Sequence, residues 1–290
     1  MRLPEWIKSS YSKRMSSLRK TKAVLRQYGV RTVCEEARCP NKSECFSRPS
    51  AAFMILGSRC TRDCAFCSVE SGSPFPVDPD EPERIAAAVK GMKLDYAVIT
   101  SVTRDDLPDG GAAQFALTIN AVKSLCPDVR IEVLVPDFKG SIYALKTVLD
   151  ACPGVLNHNI ETVSRLYGSV RPQAVYKRSL DLLRSARQIS GSTKTKSGFM
   201  LGLGEQEYEV IETMTDLRAA GCDFLTIGQY LRPTKKSIPV VEYIKPCTFE
   251  YYRNKAYEMG FEYAASGPMV RSSMNAHEAF ELPGPHASRR

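Results

Sequence analysis

The feature that most constrains the fold is a repeated alternation of short apolar runs with longer segments of helical periodicity. The apolar runs that indicate buried strands cover residues 51–58, 95–102, 130–138, 155–162, 197–204 and 224–231. The helical segments cover residues 83–92, 112–125, 141–151, 175–190, 207–220 and 248–259. Alternation at this spacing predicts an α/β fold of parallel strands with right-handed connections. The pattern leaves open a flat sheet or a barrel, and in both the working loops follow the carboxyl ends of the strands.

Positive charge is concentrated at the start of the chain. The 290 residues carry a formal net charge of +8, and eight Lys and Arg fall among the first thirty residues. Such a surface suits nucleic acid, an anionic membrane or an acidic protein, or it is a solvated face without a partner. Nucleic acid is the weaker option because no aromatic-rich RNA-binding signature accompanies the charge. Because we find neither a bilayer-spanning apolar run nor a signal peptide, we predict a cytoplasmic protein that does not bind membranes.

Six of the ten cysteines fall between positions 34 and 67. A chain of this size does not need disulfides as staples, so clustered cysteines point to metal. The denser group is Cys60, Cys64 and Cys67, directly after the first predicted strand. Three thiolates there would hold three corners of an iron–sulfur cluster and leave one iron open. A three-thiolate zinc site and buried unliganded cysteines are the alternatives, and the scarcity of histidine disfavours zinc.

A second group lies upstream and consists of Cys34, Cys39 and Cys45. It again offers three thiolates with no fourth close by, so two groups in tandem predict two separate metal centres. Structural zinc that clamps the N-terminal segment is the alternative reading of this spacing. The remaining four cysteines are scattered singly and are interpreted as packing residues.

The Cys-x3-Cys-x2-Cys run with an aromatic residue before its last cysteine resembles the radical S-adenosylmethionine (SAM) superfamily. The resemblance implies a partial (β/α)6 barrel, with Cys60, Cys64 and Cys67 as ligands of a [4Fe–4S] cluster and Phe66 beside the adenine. In that superfamily the open iron binds SAM, and one electron from the cluster releases a 5′-deoxyadenosyl radical. The cofactor would thus carry the difficult chemistry, while the protein orients it and excludes water.

The upstream cysteines and Arg271-Ser272-Ser273 together resemble the lipoyl synthase family. Further matching motifs are Arg2–Trp6, Thr100–Gly111, Asn157–Thr162, Gly228–Pro233 and Ala265–Pro268. The resemblance implies an auxiliary [4Fe–4S] cluster on Cys34, Cys39, Cys45 and the oxygen of Ser273. An alkoxide suits soft iron–sulfur chemistry less well than thiolate, so that bond can be given up when the cluster is attacked. The chain departs from the family at Met274-Asn275, where a tyrosine and often a histidine usually follow.

The family pattern also divides the chain and places the SAM contacts. We expect an N-terminal extension over residues 1–47, a core barrel over 48–263 and a C-terminal extension over 264–290. The expected SAM contacts, besides Phe66, are Thr100, Ser101, Arg104, Asn159, Glu161, Arg171 and Tyr230. Each of these has an alternative role as a core residue or a salt bridge at the barrel mouth. His158 is interpreted as a structural histidine.

The resemblance implies a sulfurtransferase of lipoate biosynthesis. Its substrate would be an octanoyl chain on a lysine of a lipoyl-carrier domain or of the glycine-cleavage H protein. Two SAM molecules would be cleaved in turn, hydrogen would leave C6 and then C8, and the auxiliary cluster would be consumed as the sulfur source. Ferredoxin or flavodoxin would donate electrons. The alternatives are a biotin-synthase-like enzyme, a methylthiotransferase, and a non-catalytic zinc protein that binds nucleic acid.

Overall fold

A computed structural model describes residues 3–8, 15–46, 51–274 and 276–281. The strands are β1 (Arg31–Thr32), β2 (Ala52–Ile55), β3 (Arg59–Cys60), β4 (Glu70–Ser71), β5 (Tyr96–Ser101), β6 (Arg130–Leu134), β7 (Val155–Asn157), β8 (Lys194–Leu201), β9 (Phe224–Gln229) and β10 (Tyr263–Gly267). The helices are α1 (Glu5–Lys8), α2 (Met15–Gln27), α3 (Val33–Glu36), α4 (Lys42–Cys45), α5 (Glu81–Gly91), α6 (Ala112–Leu125), α7 (Ile142–Asp150), α8 (Tyr167–Val170), α9 (Tyr176–Ile189), α10 (Glu207–Ala219), α11 (Pro246–Glu258) and α12 (Glu278–Glu281). Short 3₁₀ turns cover Phe138–Gly140 and Ser164–Leu166.

Seven parallel strands form one sheet in the order β2-β5-β6-β7-β8-β9-β10, and β1 adds to its edge antiparallel to β2. Within the described residues β10 does not pair with β1, so the sheet stays open. The order follows the chain with a helix after nearly every strand, which is the right-handed βα winding of a partial barrel. The predicted fold class is therefore confirmed.

The strands are buried because helices cover the outer face of the sheet. Every residue of β2 and of β9 is buried, as expected for a parallel sheet without a solvated face. Helix α9 turns Leu180, Leu183 and Ala186 inward at helical spacing. Two large apolar clusters result, one beneath β2, β5 and β6 and the other beneath β8 and β9.

All six predicted strands and all six predicted helices are present, but five of the strands are shorter than predicted, and β8 begins three residues earlier, at Lys194. The structure adds the parallel strand β10, which begins at residue 263, the last residue of the predicted core. The N-terminal segment forms the helix α2, followed by single helical turns that hold Cys34 and Cys45. Searching the described residues for a helix long and apolar enough to traverse a bilayer finds none. The expected boundary between residues 47 and 48 lies outside the described residues.

Candidate active site

A cavity of about 360 Å³ opens at the carboxyl ends of the strands. The structure brings most of the predicted site residues to its wall: Cys34, Cys39, Cys60, Cys64, Phe66, Cys67, Thr100, Ser101, Asn159, Glu161, Arg171, Tyr230 and Ser273. Both cysteine groups and the proposed serine ligand therefore border one space. Its volume falls in the range of small-molecule sites.

Cys60 is the last residue of the short strand β3, and Cys64 and Cys67 lie in the loop that follows. The Cys60 Sγ accepts hydrogen bonds from the backbone N–H groups of Arg62 (3.4 Å) and Thr103 (3.3 Å). The Cys67 Sγ accepts one from Val69 N–H at 3.4 Å. Hydrogen bonds to ligand sulfurs tune iron–sulfur clusters, so these donors suit a cluster site.

Arg62, between the first two of these cysteines, fixes the loop to the barrel. Its side chain is 4 % exposed and donates two hydrogen bonds to Asp105, at 2.7 and 3.0 Å. A further hydrogen bond of 2.6 Å reaches Asp137, whose side chain is fully buried. Arg178 approaches the other oxygen of Asp137 at 3.3 Å. This buried network, called the Arg62 network below, determines the course of the cysteine loop.

Burial raises the pKa of Cys67 to about 12 and that of Cys34 to about 11, and it also raises the pKa of Cys64. The physical cause is desolvation, which disfavours the charged form. Thiols of this kind ionise when a metal supplies the compensating positive charge, so metal binding releases their protons.

The cysteines of both groups are free thiols. All ten cysteines lie among the described residues, and none forms a disulfide bond. In the described part of the chain, no three cysteine, histidine or carboxylate side chains are arranged to hold one metal ion. Tetrahedral zinc with bonds of about 2.3 Å needs sulfurs about 3.8 Å apart. The described thiols do not form such a site in this structure.

The upstream cysteines are placed by two helical turns with a bend between them. Cys34 lies in α3 and is 6 % exposed, and the Cys39 N–H donates to the Cys34 carbonyl oxygen at 3.1 Å. Arg38 bends the chain through a positive φ of 50°. Cys45 ends α4 and packs against the same apolar cluster as Cys34, although it does not line the cavity.

The C-terminal segment that carries Ser273 crosses the cavity mouth and contacts the N-terminal segment. The Asn41 amide donates to the Met269 carbonyl oxygen and, at 2.9 Å, to the Met274 Sδ. Met274 thus holds a contact where the lipoyl synthase family usually has tyrosine, and Asn275 lies outside the described residues. A β-carbon on Gly228 would overlap the Val270 carbonyl oxygen, so glycine at this position lets the segment approach β9.

Ser272 connects this segment to the barrel. The Asn157 amide donates to the Ser272 Oγ at 2.7 Å, and the Ser272 Oγ donates to the Asn159 Oδ1 at 2.9 Å. Asn157 also donates to Glu132 at 2.8 Å, and Glu132 forms a fully buried ion pair with Lys196 at 3.0 Å. We call this chain of hydrogen bonds the Ser272 network. It positions the residue next to Ser273 from inside the barrel.

The polar residues expected to bind SAM are partly unsatisfied. The Ser101 Oγ and the Arg171 Nε are buried and have no hydrogen-bond partner among the described residues, although both residues line the cavity. Arg171 is held by bonds from its Nη1 to the carbonyl oxygens of Asn159 (3.0 Å) and Ile160 (3.3 Å). Buried polar atoms without partners at a cavity wall indicate a polar ligand. A carboxylate on Arg171 would satisfy one of them.

Glu161 lies deep in the same wall. Burial raises the pKa of its carboxyl group, and Arg171 and a hydrogen bond of 3.1 Å from Asn159 oppose that rise. Its φ is 66°, an uncommon value for a residue with a β-carbon, and such backbone conformations cluster at functional sites. Asn159 and Glu161 lie two residues apart beyond the end of β7, and both line the cavity.

Phe66 and Tyr230 form the apolar part of the wall. Both belong to a small cluster with Val170 and Leu203, and Tyr230 is 1 % exposed. The Tyr230 hydroxyl donates to the Ile238 carbonyl oxygen at 2.7 Å, so its ring, not its hydroxyl, faces the cluster. Two aromatic faces on an apolar wall suit a purine base.

Arg104 and His158 have structural contacts. Arg104 is 3 % exposed, forms an ion pair with Asp106 at 2.9 Å and does not line the cavity. His158 is held on both ring nitrogens, by the Val135 carbonyl oxygen (2.8 Å) and the Ser179 Oγ (2.9 Å). Burial lowers its pKa to about 4. Thr100 faces the cavity but also donates to the Leu134 carbonyl oxygen at 3.0 Å.

Sequence reasoning missed Arg62 and Ser272. Arg62 is bound to carboxylates 43 and 75 residues away, so no local pattern marks it. Its position between two cysteines was the one available signal. Ser272 stood next to the selected serine, but its partners lie 115 and 113 residues away.

Comparisons with known proteins identify the family of this chain. The family model described as the radical SAM superfamily matches residues 54–217. A lipoyl synthase of Caldanaerobacter subterraneus is 52% identical over 97% of this chain and 98% of its own length. A lipoyl synthase of Aquifex aeolicus is 54% identical over 91% of this chain and 96% of its own.

Solved structures show the fold. Methylornithine synthase superposes with a TM-score of 0.56 at 14% identity, over 88% of this chain and 76% of its own. Streptococcus suis SuiB bound to S-adenosylmethionine superposes with a TM-score of 0.57 at 11% identity, over 78% of this chain and 54% of its own. At such identities the similarity concerns the barrel alone.

Proposed function

Since the chain belongs to the lipoyl synthase family of the radical SAM superfamily, we propose that it inserts sulfur at C6 and C8 of an octanoyl chain bound to a lysine of a carrier protein. It is an enzyme, and its relatives make it a sulfur-inserting one. The non-catalytic zinc protein considered from the sequence is thus wrong. The observation that carries the proposal is that one cavity borders Cys60, Cys64 and Cys67, two of the three upstream cysteines, and Ser273.

The proposal assigns two [4Fe–4S] clusters to the two groups. Cys60, Cys64 and Cys67 would hold the first cluster, whose open iron takes SAM. The second would be held by Cys34, Cys39, Cys45 and Ser273. When bound, these groups supply the radical that takes hydrogen from an unactivated carbon, and the sulfur that replaces it.

The protein's own residues would orient and shield this chemistry. We assign the methionyl carboxylate to the Arg171 Nε, a polar methionyl contact to the Ser101 Oγ, and the ribose to Asn159 and Glu161. The rings of Phe66 and Tyr230 would hold the adenine. Arg104 keeps only the role of a structural ion pair in this proposal, because it points away from the cavity.

The family membership implies an octanoylated carrier protein as substrate. We propose a lipoyl-carrier domain or the glycine-cleavage H protein as that carrier, and ferredoxin or flavodoxin as electron donor. A cytoplasmic location is proposed as well, which the ten cysteines without disulfide bonds support. The two extensions flank the core in this scheme, and each contributes ligands to the auxiliary cluster.

The test starts from protein purified without oxygen. About eight irons and eight sulfides per chain are expected. Incubation with an octanoyl-lysyl peptide, SAM and dithionite should add the mass of two sulfur atoms to the peptide and yield 5′-deoxyadenosine. A methylthio adduct, or zinc in place of iron and sulfide, would contradict the proposal.

Two matched cysteine variants divide the assignment. Cys64→Ala should abolish SAM cleavage, whereas Cys39→Ala should retain SAM cleavage and lose sulfur insertion. Each should bind about four irons fewer than the parent protein. The assignment of the two groups is wrong if Cys39→Ala, and not Cys64→Ala, stops SAM cleavage.

A further inference from the structure

The net positive charge of this protein comes almost entirely from one segment. The first 46 residues hold eleven Lys and Arg against four Asp and Glu, a net charge of +7 out of the +8 of the whole chain. The rest of the chain is therefore close to neutral. The same segment carries Cys34, Cys39 and Cys45. A charge imbalance this local creates a directional field rather than a general basic surface.

Within the described residues, that charge has an ordered face on α2. Arg19, Lys22 and Arg26 recur at the i, i+3 and i+7 spacing of one helical side, and the helix contains no acidic residue. Arg19 and Arg26 are exposed and Lys22 is half-buried. The opposite side turns Thr21 and Leu25 into the protein. We call the three cations the α2 cationic face.

Several cations on the barrel helices differ from these three, because they are paired with carboxylates on their own helix: Lys146–Asp150, Lys177–Asp181, Arg184–Asp181, Arg253–Glu250 and Lys255–Glu258. The three cations of the α2 face make no ion pair with any residue of the described chain. Their charge is thus uncompensated and available to a partner.

The α2 face is attached directly to the auxiliary cysteine group. Helix α2 packs on α4, and the Thr21 hydroxyl donates to the carbonyl oxygen of Phe46 at 2.8 Å, one residue after Cys45. Leu25 lies in the same apolar cluster as Cys34. A protein held on the outer side of α2 would therefore rest beside the element that carries the proposed sulfur source.

We propose that the α2 cationic face docks an acidic face of the protein that carries the octanoyl chain. The inference rests on the proposed function, because that function requires a macromolecular substrate to come to this cavity. The positive charge of α2 selects an acidic partner, and the packing of α2 on α4 places that partner beside the auxiliary cysteine group. Attraction between exposed charges acts over a Debye length of about 8 Å at physiological salt, so it guides the carrier without fixing a tight complex.

The test is a triple variant, Arg19→Gln, Lys22→Gln and Arg26→Gln. Its control is Lys146→Gln, Lys177→Gln and Lys255→Gln, which removes the same charge from paired positions. Each protein is titrated with an octanoylated lipoyl-carrier domain of net negative charge, and turnover is measured with that domain and with a short octanoyl-lysyl peptide. Dithionite is the reductant, and iron content verifies that both variants fold.

We expect the α2 variant to raise the Kd and KM for the carrier domain about tenfold and to leave turnover of the peptide unchanged. The difference from the parent should shrink as salt is raised from 50 to 500 mM, as screening predicts. The control variant should change the Kd for the carrier less than twofold.

Three outcomes would overturn the inference, and a fourth would separate it from the proposed function. An equal loss with carrier and peptide would show that the α2 face acts on the cavity, not on docking. A loss that appears only when flavodoxin replaces dithionite would assign the face to the electron donor. Loss of affinity for a DNA duplex, with carrier affinity unchanged, would assign it to nucleic acid. If the parent protein binds the carrier through this face but converts neither substrate, the proposed function fails while the docking site stands.

Discussion

Replacing Arg62 by glutamine should destabilise the protein far more than removing the charge of a residue at the surface. The substitution removes the guanidinium that binds Asp105 and the fully buried Asp137. Arg178 then remains as the cation nearest to Asp137, at 3.3 Å. Removing one partner of a buried ion pair costs about 3–5 kcal/mol, because it leaves a charge without compensation. For a chain of this size that amounts to a fall in Tm of roughly 5–8 °C.

The pH dependence identifies the cause. Burial alone would raise the pKa of Asp137, but the hydrogen bond and charge of Arg62 outweigh it and lower the pKa to about 2. Because this folded-state pKa lies below the ordinary value of 3.8, ionised Asp137 contributes about 2 kcal/mol of stability above pH 4. That contribution is lost as the pH falls towards 2. In Arg62→Gln the pKa of Asp137 should rise. The difference in Tm between the parent protein and the variant should therefore become smaller as the pH is lowered from 7 to 3.

Thermal unfolding of the metal-free proteins measures this effect. The matched control is Arg84→Gln, which breaks an ion pair of equal length (2.6 Å) with Asp78 whose partners are 35 % and 48 % exposed. A surface pair is worth about 0–1 kcal/mol, so the control should shift Tm by no more than about 3 °C. A Tm for Arg62→Gln that matches the control, or a gap that is constant with pH, would refute the reasoning.

Two further changes test the segment that carries Ser273. Ser272→Ala removes both hydrogen bonds that the serine makes in the Ser272 network, a loss of about 1–3 kcal/mol in local positioning. We expect Ser272→Ala to keep SAM cleavage but to lower sulfur insertion at least tenfold. Ser272→Thr should restore most of the sulfur insertion. Equal losses of both activities in Ser272→Ala would contradict this role. Gly228→Ala should displace Val270 and lower sulfur insertion to a similar extent, as measured by mass spectrometry of the product. The control is Gly191→Ala, which should leave sulfur insertion unchanged because its β-carbon would meet nothing within 4 Å.

The fold could be predicted from the sequence because its elements have strong and uniform periodicity. The predicted helix over residues 112–125 coincides with α6, and the others differ from the structure by one or two residues at their ends. Strand β10 was missed as a strand because Tyr-Ala-Ala-Ser-Gly offers no apolar run of ordinary length. Its partner β9, not its own composition, makes it a strand.

The site could be predicted only in part. Residue spacing shows which loop a residue lies in, but it does not show where its side chain points. Thirteen predicted residues reach the cavity, because βα loops gather at one end of a parallel sheet. Arg104 follows the same strand end as Ser101, yet its side chain turns to Asp106. Nothing in its spacing could have shown that turn. The Arg62 and Ser272 networks join residues that lie far apart in the sequence, which only the folded chain brings together.

The two proposed cluster sites differ in how firmly the chain holds their ligands. The loop of Cys60, Cys64 and Cys67 is fixed by the Arg62 network, whose charges are buried and costly to separate. The segment of Ser273 has neutral hydrogen bonds to the rest of the chain: Asn41 and Asn157 donate to it, and its Ser272 donates to Asn159, each worth about 1 kcal/mol. We expect this segment to separate from the barrel more easily than the cysteine loop. This difference matches a first cluster that must persist through every turnover and a second that must be dismantled and replaced.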